Sequence, residues 1–410
     1  MKKVSILGVN ISVIDRAAAL KRIGDYLRGS GQHFLVTPNP EIVLAANQDE
    51  ELHHILNKAD LSLMDGMGLK VAAWLKGVSA PRVTGADLVP ELLALAEEQG
   101  LEVLVVNWRD GLSSAADISK ALKAKYPQLK LVVQAVDRFG RDFDPAAAGQ
   151  AVIMLVTLGA PYQEKFIFHN LKKIPSLRLA AGVGGALDFL SSKVKRAPKL
   201  MRLLGLEWSW RLFQKPASTQ GQAVYRRYRR IWRAVFVFMW RFVIWQYVRP
   251  LQYRPNVACL IYRRYGDRYQ ALVVRRAYSA EPHWQLPQGG TDGEDPRDAG
   301  LREANEELGT DKFEVKAVYK DVWRYEFNSA LGKHPVTRDS GYKGQKQSLA
   351  ILEFLGDDAE IKLNYWDHDF WQWVDIDQLV ATVHPVRQKS TQAFLDKFNQ
   401  YINVIASETK

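Results

Sequence analysis

The sequence GGTDGE at residues 289–294, followed by REANEELG at residues 302–309, is the most informative stretch of the chain. Within it, Glu303, Glu306 and Glu307 are spaced i, i+3 and i+4, so on a helix their carboxylates share one face. Like charges on one face repel each other unless a bound cation offsets them. Mg²⁺ prefers oxygen ligands and keeps several waters when it acts on phosphates. The glycine-rich loop before the helix and the glycine that closes it also suit a phosphate-handling site.

This stretch resembles the Nudix box, Gly-x5-Glu-x7-Arg-Glu-U-x-Glu-Glu-x-Gly-U, in which U is a bulky aliphatic residue. The spacing agrees from Glu294 through Arg302 to the closing glycine. The chain differs from the box in having only three residues between Gly290 and Glu294, and in carrying Ala304 and Thr310 at the aliphatic positions. The alternative is a solvated glutamate-rich helix face. The agreement of the arginine, Glu294 and both flanking glycines with the box favours the resemblance.

Length and composition limit the number of domains and the cellular compartment that the sequence predicts. A chain of 410 residues predicts two or three domains, and 47% apolar residues supply ample core material. The single Cys259 has no partner for an internal disulfide, which is typical of a reducing cytoplasm. The apolar run near the N-terminus is too short for a signal peptide, and no charge-free apolar run reaches 18 residues. We therefore expect a cytoplasmic protein without a transmembrane helix.

The positive charge is concentrated in one segment. Residues 193–254 carry fifteen Lys or Arg and one acid, Glu207, so this segment alone has a net charge of +14. Because the whole chain has a net charge of +11, everything outside the segment sums to −3. The sequence therefore predicts two mildly acidic globular regions joined by a strongly basic one.

In the first 200 residues, short apolar runs alternate with helical patterns such as those at residues 16–28 and 86–99. The predicted strands are residues 4–7, 33–37, 61–64, 102–106, 129–133, 152–158 and 177–181. This alternation predicts an α/β domain with a largely parallel, Rossmann-like sheet. In such sheets ligands bind beyond the carboxyl ends of the strands, so polar residues that directly follow a strand are candidate site residues.

Motifs that follow these strands resemble the WecG/TagA/CpsF family, the family 26 glycosyltransferases, over residues 1–216. They come in the family's order: TPNPE at 37–41, DGMG at 65–68, RVTGAD at 82–87, GAPYQEK at 159–165, GVGGALDF at 182–189, and RAPK at 196–199 continuing to GLEW at 205–208 and Arg211. Taken singly, Thr-Pro-Asn-Pro is often a rigid turn and an aspartate after a strand is often a helix cap. The order and number of the motifs favour the family.

The family resemblance implies inverting transfer of N-acetylmannosamine, or a related hexosamine, from a UDP-sugar donor to an undecaprenyl-diphosphate-linked GlcNAc acceptor. Such chemistry needs a base near the acceptor hydroxyl and donors for the departing diphosphate. By resemblance, Asp65 is the base, Thr37 and Asn39 belong to the donor site, and Gln163 positions substrate. Arg82 can hold a phosphate or acidic group. Further substrate-binding candidates from the same motifs are Thr84, Asp87, Glu164, Gly184 and Gly185. We expect this domain to need no metal.

The segment 201–252 is rich in arginine and tryptophan. On a helical wheel Arg226, Arg230, Arg233 and Arg241 fall within about 80°, from roughly 100° per residue. Apolar residues of 235–245 cover most of the remaining face. A narrow cationic stripe beside a wide apolar face predicts an interfacial helix on an anionic membrane. A buried helix between domains and a nucleic-acid patch stay open as alternatives, and residues 214–222 are predicted to form a flexible joint.

From residue 253 onward, strand patterns flank the helix of the box. Residues 257–262 and 269–275 predict paired strands around a turn at 266–267, and residues 348–355 and 371–374 predict two more. We therefore divide the chain into residues 1–200, 201–252 and 253–405, the last an α/β/α Nudix sandwich. Segments at 253–257, 284–290 and 344–347, and Asp367 ahead of WQWV at 371–374, narrow the resemblance to bacterial RNA pyrophosphohydrolases and dinucleoside-polyphosphate hydrolases.

This second resemblance implies metal-assisted attack of water on a phosphorus atom in a nucleoside polyphosphate or in a capped or triphosphorylated RNA end. Glu303, Glu306 and Glu307 would hold Mg²⁺ or Mn²⁺, and Asp367 aligns with a late acidic residue that can assist the metal or the base. Arg302 would orient a carboxylate. The remaining substrate and loop positions are Gly289, Gly290, Glu294, Arg254 and Gln347.

The leading interpretation is therefore a bifunctional enzyme on the inner face of the cytoplasmic membrane. A second interpretation makes the Nudix domain a non-catalytic nucleotide sensor that regulates the transferase. A third is an RNA-processing protein whose basic segment binds RNA. The sequence leaves the donor sugar, the acceptor polymer, the Nudix substrate and oligomer formation open.

Overall fold

The computed structural model describes residues 1–198, 201, 210, 232–277, 279, 281–327 and 341–408. The chain divides into two compact units, Met1–Ile244 and Trp245–Lys410. Within the sequence predictions, Arg226, Arg230, the joint at 214–222, and the motif residues 205–208 and Arg211 lie outside the described residues.

The first unit alternates strands and helices. Its strands are β1 Lys3–Ile6, β2 Val9–Ser12, β3 His33–Val36, β4 Leu61–Ser62, β5 Glu102–Trp108, β6 Lys130–Val136, β7 Ile153–Val156 and β8 Leu179–Gly182. Its helices are α1 Arg16–Arg28, α2 Pro40–Ala46, α3 Glu50–Lys58, α4 Met67–Leu75, α5 Gly85–Glu98, α6 Ala115–Lys125, α7 Tyr162–Asn170, α8 Ala186–Leu190 and α9 Phe238–Val243.

Six of these strands form one parallel sheet in the order β4-β3-β8-β7-β5-β6. The predicted parallel sheet is therefore present, and its central strands are apolar because helices cover both faces. Every residue of β7 is 0% exposed. The strand predicted at residues 4–7 is real but lies outside this sheet, since β1 and β2 form a separate antiparallel pair.

The described end of the basic segment is helical and packs on its own unit. Residues Arg233–Val237 are wound as a π-helix, and α9 continues from them and contacts α2 and α4. Phe238 and Phe242 are 0% and 1% exposed there, so these two residues lie in a protein core and not on the predicted membrane-facing surface. A neighbouring stripe, Trp232, Phe236 and Trp240, is 58%, 56% and 67% exposed.

The second unit is built on a seven-stranded mixed sheet. Its strands are β9 Tyr253–Tyr265, β10 Arg268–Arg276, β11 Trp284–Gln285, β12 Gln288–Gly290, β13 Phe313–Glu326, β14 Gly344–Phe354 and β15 His368–Asp375. Its helices are α10 Pro296–Leu308, α11 Leu379–Thr382 and α12 Pro385–Glu408. The backbone order is β11-β10-β9-β14-β13, with β12 paired to β9 and β15 paired to β10.

Alternate residues of β9 face opposite sides of this sheet and enter two separate cores. Val257, Cys259 and Ile261 pack with α10, whereas Ala258 and Leu260 pack with α11 and α12. This period of two is what a strand covered on both faces requires. The second unit is therefore an α/β/α sandwich, as predicted, and α10 carries the glutamates of the box.

Candidate active sites

The candidate residues of the first unit meet at one edge of its sheet. Thr37 follows β3, Asp65 follows β4, Gln163 follows β7, and Gly184 follows β8. Parallel strands have their carboxyl ends at the same edge, and β4, β3, β8 and β7 are consecutive neighbours. The strand order therefore brings together residues that are up to 147 positions apart in sequence.

The loops after β3 and β4 touch directly. The backbone N–H of Asp65 donates to the carbonyl of Pro38 at 3.0 Å. Gly66 has a φ of +107°, and a Cβ there would lie 2.9 Å from the Pro40 ring, so only glycine fits this close approach. The Asn39 side chain caps α2 by accepting from the backbone N–H of Glu41 at 2.9 Å. Asn39 is thus a helix cap in this structure, and its donor-site role stays a prediction.

A buried amide–carboxyl pair lies at the neighbouring strand ends. Gln163 donates from Nε2 to Oε1 of Glu164 at 2.8 Å, and its Oε1 accepts from the backbone N–H of Gly184 at 3.0 Å. Gln163 and Glu164 are only 3% and 1% exposed. Burial raises the pKa of Glu164 to about 7 because a charged carboxylate is poorly solvated there. A Cβ on Gly182 would lie 2.7 Å from Nε2 of Gln163, so the amide needs a glycine in β8.

The loop between α4 and α5 also lies at the carboxyl edge of the sheet, next to the end of β4. The segment beginning with Arg82 runs beside the end of β4, and the Thr84 side chain caps α5 while donating to Asp87 at 2.6 Å. Asp87 pairs with Arg196 at 2.7 Å, which ties the RAPK motif to this loop. The exposed Gly185 precedes α8. Thr84 and Asp87 therefore have structural partners within the protein, and their substrate contacts stay predictions.

In the second unit, the box helix α10 begins and ends where the sequence indicates. Asp295 caps it by accepting from the backbone N–H of Arg297, and Pro296 occupies the first turn, where a missing N–H costs nothing. Gly309 ends the helix with a φ of +65°, the left-handed conformation that glycine adopts without strain. Glu303, Glu306 and Glu307 consequently lie on consecutive turns of one helix.

Arg302 joins the loop to the helix. Its guanidinium contacts Glu294 at 2.9 Å, Glu303 at 2.8 Å and Glu306 at 3.2 Å, and it also donates to the carbonyl of Gly290 at 2.8 Å. The single guanidinium of Arg302 therefore neutralises part of the charge of three carboxylates. It also holds the short loop between Gly290 and Glu294 against the helix. Glu303 is buried, whereas the side chain of Glu306 is 55% exposed.

The two glycines of the loop make room for charged side chains. A Cβ on Gly289 would lie 1.8 Å from Oε2 of Glu303, and a Cβ on Gly290 would lie 2.7 Å from Nη2 of Arg254. The Glu303 carboxylate therefore packs against the backbone of Gly289, and the Arg254 guanidinium packs against the backbone of Gly290. Gln347 is 0% exposed and donates to Asn256 at 3.0 Å and to the side chain of Gln288 at 2.8 Å. Amide groups thus line the strands beneath the loop.

One group of ligand-type side chains stands out among the described residues. Glu307, Asp367 and His368 each offer one ligand atom, and these atoms lie within 4.8 Å of one another. Glu307 is 4% exposed and His368 is 0% exposed. Burial lowers the pKa of His368, which keeps its imidazole neutral at physiological pH. The structure therefore places Asp367 near Glu307 of the box helix, where its role in assisting the metal or the base stays a prediction, and adds His368, which was not predicted from the sequence.

The residues around His368 could have indicated a metal ligand from the sequence. Residues 367–369 read Asp-His-Asp directly before β15 becomes apolar, and His is a common metal ligand. Only the pairing of β15 with β10, together with the packing of α10, shows that Glu307 and His368 come together. The metal-ligand roles of Glu303 and Glu306 stay predictions.

Comparison with known proteins gives a family for each unit. Residues 4–252 match the family described as glycosyl transferase WecG/TagA/CpsF, and residues 252–394 match the NUDIX domain. Over 155 residues the chain is 35% identical to an RNA pyrophosphohydrolase of Wolbachia pipientis subsp. Culex pipiens (strain wPip), covering 37% of this chain and 92% of that protein. A second RNA pyrophosphohydrolase, from Wolbachia sp. subsp. Brugia malayi (strain TRS), is 34% identical over 157 residues, covering 37% of this chain and 94% of that protein.

Among solved structures, a C. elegans Ap4A hydrolase binary complex is similar, with 20% identity, a TM-score of 0.27, and coverage of 37% of this chain and 98% of that chain. Both matched domain types indicate enzymatic activity, and together they support a bifunctional protein. Nudix enzymes generally use divalent metals, and the group around Glu307 is a candidate acidic metal site. In the described part of the chain, no helix is long and apolar enough to cross a membrane.

Proposed function

The chain belongs to the WecG/TagA/CpsF family of glycosyl transferases and carries a NUDIX domain, and we propose that it joins two catalytic activities. The first is inverting transfer of N-acetylmannosamine, or a related hexosamine, from a UDP-sugar to an undecaprenyl-diphosphate-linked GlcNAc during cell-surface polysaccharide synthesis. The second is metal-dependent hydrolysis of a phosphoanhydride in a nucleoside polyphosphate or a 5′-triphosphorylated RNA.

For the transfer, the supporting observation is the convergence of candidate residues at the carboxyl edge of one parallel sheet. In this proposal Asp65 accepts the proton of the acceptor hydroxyl as that oxygen attacks the sugar. Thr37 and Asn39 contact the UDP-sugar. Gln163, held by the backbone of Gly184, orients the substrate. Arg82 neutralises phosphate charge that develops as UDP departs.

For the hydrolysis, the supporting observation is the buried carboxylate pair Glu303 and Glu307 beside a glycine loop and the Asp367–His368 group. Glu303, Glu306, Glu307 and Asp367 are oxygen donors of the kind that Mg²⁺ or Mn²⁺ requires, so the residues present fit a divalent cation. Such a cation, when bound, neutralises charge on the attacked phosphate.

In this second site, Arg302 holds two of the helix carboxylates in place, and Glu294 fixes the loop to the helix through it. Arg254 lies against Gly290 and is suited to a substrate phosphate. The named activity of the Wolbachia relatives, RNA pyrophosphohydrolase, supports an RNA 5′ end or a related nucleoside polyphosphate as the substrate class.

We further propose that the first unit works on the inner face of the cytoplasmic membrane, where its lipid-linked acceptor resides. Exposed apolar residues of two touching helices support this: Val71, Trp74 and Leu75 on α4, and Trp232, Phe236 and Trp240 in the helical segment ending in α9. Helix α4 starts two residues after Asp65, so a membrane bound at this surface would present acceptor to the proposed base. Arg241 is exposed on α9 and can contact anionic lipid.

The direct test incubates the full chain with candidate UDP-sugars and lipid-linked GlcNAc diphosphate, and separately with 5′-triphosphorylated RNA and dinucleoside polyphosphates. Each reaction is run with and without Mg²⁺ or Mn²⁺, and the products are identified by mass. We expect sugar transfer in one set and metal-dependent release of phosphate or diphosphate in the other. The Glu306→Gln/Glu307→Gln double variant should lose the hydrolysis, retain sugar transfer, and show a smaller thermal shift on addition of Mg²⁺.

The same panel separates the alternatives. If the wild type hydrolyses no substrate with either metal, yet a bound nucleotide changes the transfer rate, the Nudix domain is a sensor. If the protein binds single-stranded RNA but not anionic vesicles across a salt series, the basic segment serves RNA and the membrane proposal is wrong.

A further inference from the structure

His368 occupies a position in which an imidazole has no ordinary structural role. Its backbone N–H donates to the carbonyl of Asn364 at 3.1 Å, which fixes the start of β15. Its side chain is 0% exposed, yet neither ring nitrogen has a hydrogen-bond partner. Burying an unpaired polar group is unfavourable, so a core position would favour an apolar residue of similar size.

The ring faces two carboxylates at a distance that hydrogen bonds do not explain. Nδ1 of His368 lies 3.9 Å from Oε2 of Glu307 and 3.8 Å from Oδ2 of Asp367. Both separations exceed the roughly 3.2 Å limit of a good hydrogen bond. Ligand atoms that surround one cation, each at about 2.0–2.2 Å from it, are separated by about 3–4 Å. The two separations from Nδ1 therefore suit ligands around one cation better than hydrogen-bonded partners.

We propose that Nδ1 of His368 is a direct ligand of the divalent cation in the second unit, together with Glu307 and Asp367. This inference rests on the proposed metal-dependent hydrolysis and adds a nitrogen to a site otherwise made of oxygen. Imidazole nitrogen favours first-row transition metals, whereas Mg²⁺ prefers oxygen. The site therefore binds Mn²⁺ in preference to Mg²⁺, and His368 is the residue that sets this preference.

The test uses the full chain loaded with one equivalent of Mn²⁺ and reads nitrogen coupling by pulsed electron paramagnetic resonance. We expect modulation from a directly bound ¹⁴N, replaced by the ¹⁵N pattern when the protein is made with ¹⁵N-labelled histidine. This comparison needs no mutation, so a variant that folds poorly cannot confuse it. Bound Mn²⁺ without nitrogen coupling overturns the inference while leaving a carboxylate metal site intact.

Calorimetric titration with Mn²⁺ and Mg²⁺ supplies a second readout. His368→Phe replaces the imidazole with an aromatic ring that has no ligand atom, and should weaken Mn²⁺ binding at least as much as the roughly 10–100-fold loss seen when outer-sphere partners are removed. Mg²⁺ binding should weaken less, so the ratio of the two affinities falls.

Asp369→Asn is the matched control. Asp369 is the next residue along but pairs with Arg275 at 2.8 Å outside the group, so its loss should leave the ratio unchanged. An unchanged ratio in His368→Phe contradicts the inference. If Glu307→Gln leaves Mn²⁺ binding intact, the proposed ligand group is wrong and the inference fails, whereas the proposed hydrolysis fails only if the wild type releases no phosphate or diphosphate with either metal.

Discussion

The two candidate sites of this molecule are built in opposite ways. The site on α10 takes most of its residues from one contiguous stretch, and the local geometry of a single capped helix places them. The site of the first unit takes single residues from the segments that follow four strands, and the strand order β4-β3-β8-β7 brings them together. A contiguous motif determines its own geometry, whereas a dispersed site depends on the whole sheet.

The largest expected effect tests whether the two sites act independently. Asp65→Asn keeps the shape of the side chain but removes the proposed base, so sugar transfer should fall by about 10²–10⁴-fold. Hydrolysis by the second unit should be unchanged, because Asp65 lies in the other compact unit. Both rates are measured on the same preparation. Transfer at a rate close to wild type would remove Asp65 from the proposed role.

The next effect concerns the buried carboxyl beside the dispersed site. The pKa of Glu164 is about 7 in the folded protein, above its ordinary value of 4.5. Between these two pH values the folded state therefore holds a proton that the unfolded state has released. The stabilisation that comes from this protonation is complete below pH 4.5 and is lost as the pH rises through 7. At about 1.4 kcal/mol per pKa unit, it amounts to roughly 3 kcal/mol.

Glu164→Gln should accordingly flatten the pH dependence of the thermal unfolding of the first unit between pH 5 and 8. Glu98→Gln, which replaces an exposed carboxylate on α5, should leave the dependence as in wild type. Equal slopes for Glu164→Gln and wild type would show that Glu164 ionises normally in the folded protein.

The two sites are compared by replacing one glycine in each with alanine, which adds a Cβ next to a site residue. Gly289→Ala places a Cβ 1.8 Å from Glu303, and Gly182→Ala places one 2.7 Å from Gln163. A displacement of about 1 Å at a reacting group can cost roughly 10²-fold in rate. We expect Gly289→Ala to lose hydrolysis only, and Gly182→Ala to lose transfer only and by a smaller factor.

Gly24→Ala is the control for these substitutions, since a Cβ there meets only the end of the Arg28 side chain at 3.4 Å. Both rates should stay at the wild-type level in that variant. If Gly289→Ala and Gly182→Ala each reduce both activities, the two units do not function separately and their sites are coupled.

The smallest expected effect concerns the surface of the first unit that is proposed to bind the membrane. Removing the 67% exposed Trp240 in Trp240→Ser should weaken binding to vesicles with anionic lipid by about tenfold, equivalent to about 1.4 kcal/mol. Leu112→Ser, at a 47% exposed position outside this surface, is the control. Flotation of both variants with vesicles measures the effect, and equal binding by the two would exclude Trp240 from the contact.

Much of the fold was readable from the sequence because apolar runs and caps are local signals. The parallel sheet, the paired strands around Gly266 and the box helix all follow from such runs. The β1–β2 pair was not recognised as separate from the sheet, since a short apolar strand has the same pattern in either place. The sequence predicts a membrane face for Phe238 and Phe242, whereas the structure buries both, because composition alone does not distinguish lipid from a protein core as the apolar neighbour.

The sequence by itself determined the two domain types, the helix that carries Glu303, Glu306 and Glu307, and the identity of residues that follow each strand. Only the tertiary structure decided which of these residues meet. Insertion of β8 between β3 and β7 sets Gln163 against Gly184, and the packing of α10 near the start of β15 sets Glu307 beside His368. The reason is physical: chain order fixes backbone neighbours, whereas contacts between distant segments depend on the strand order and packing that bury the most apolar surface.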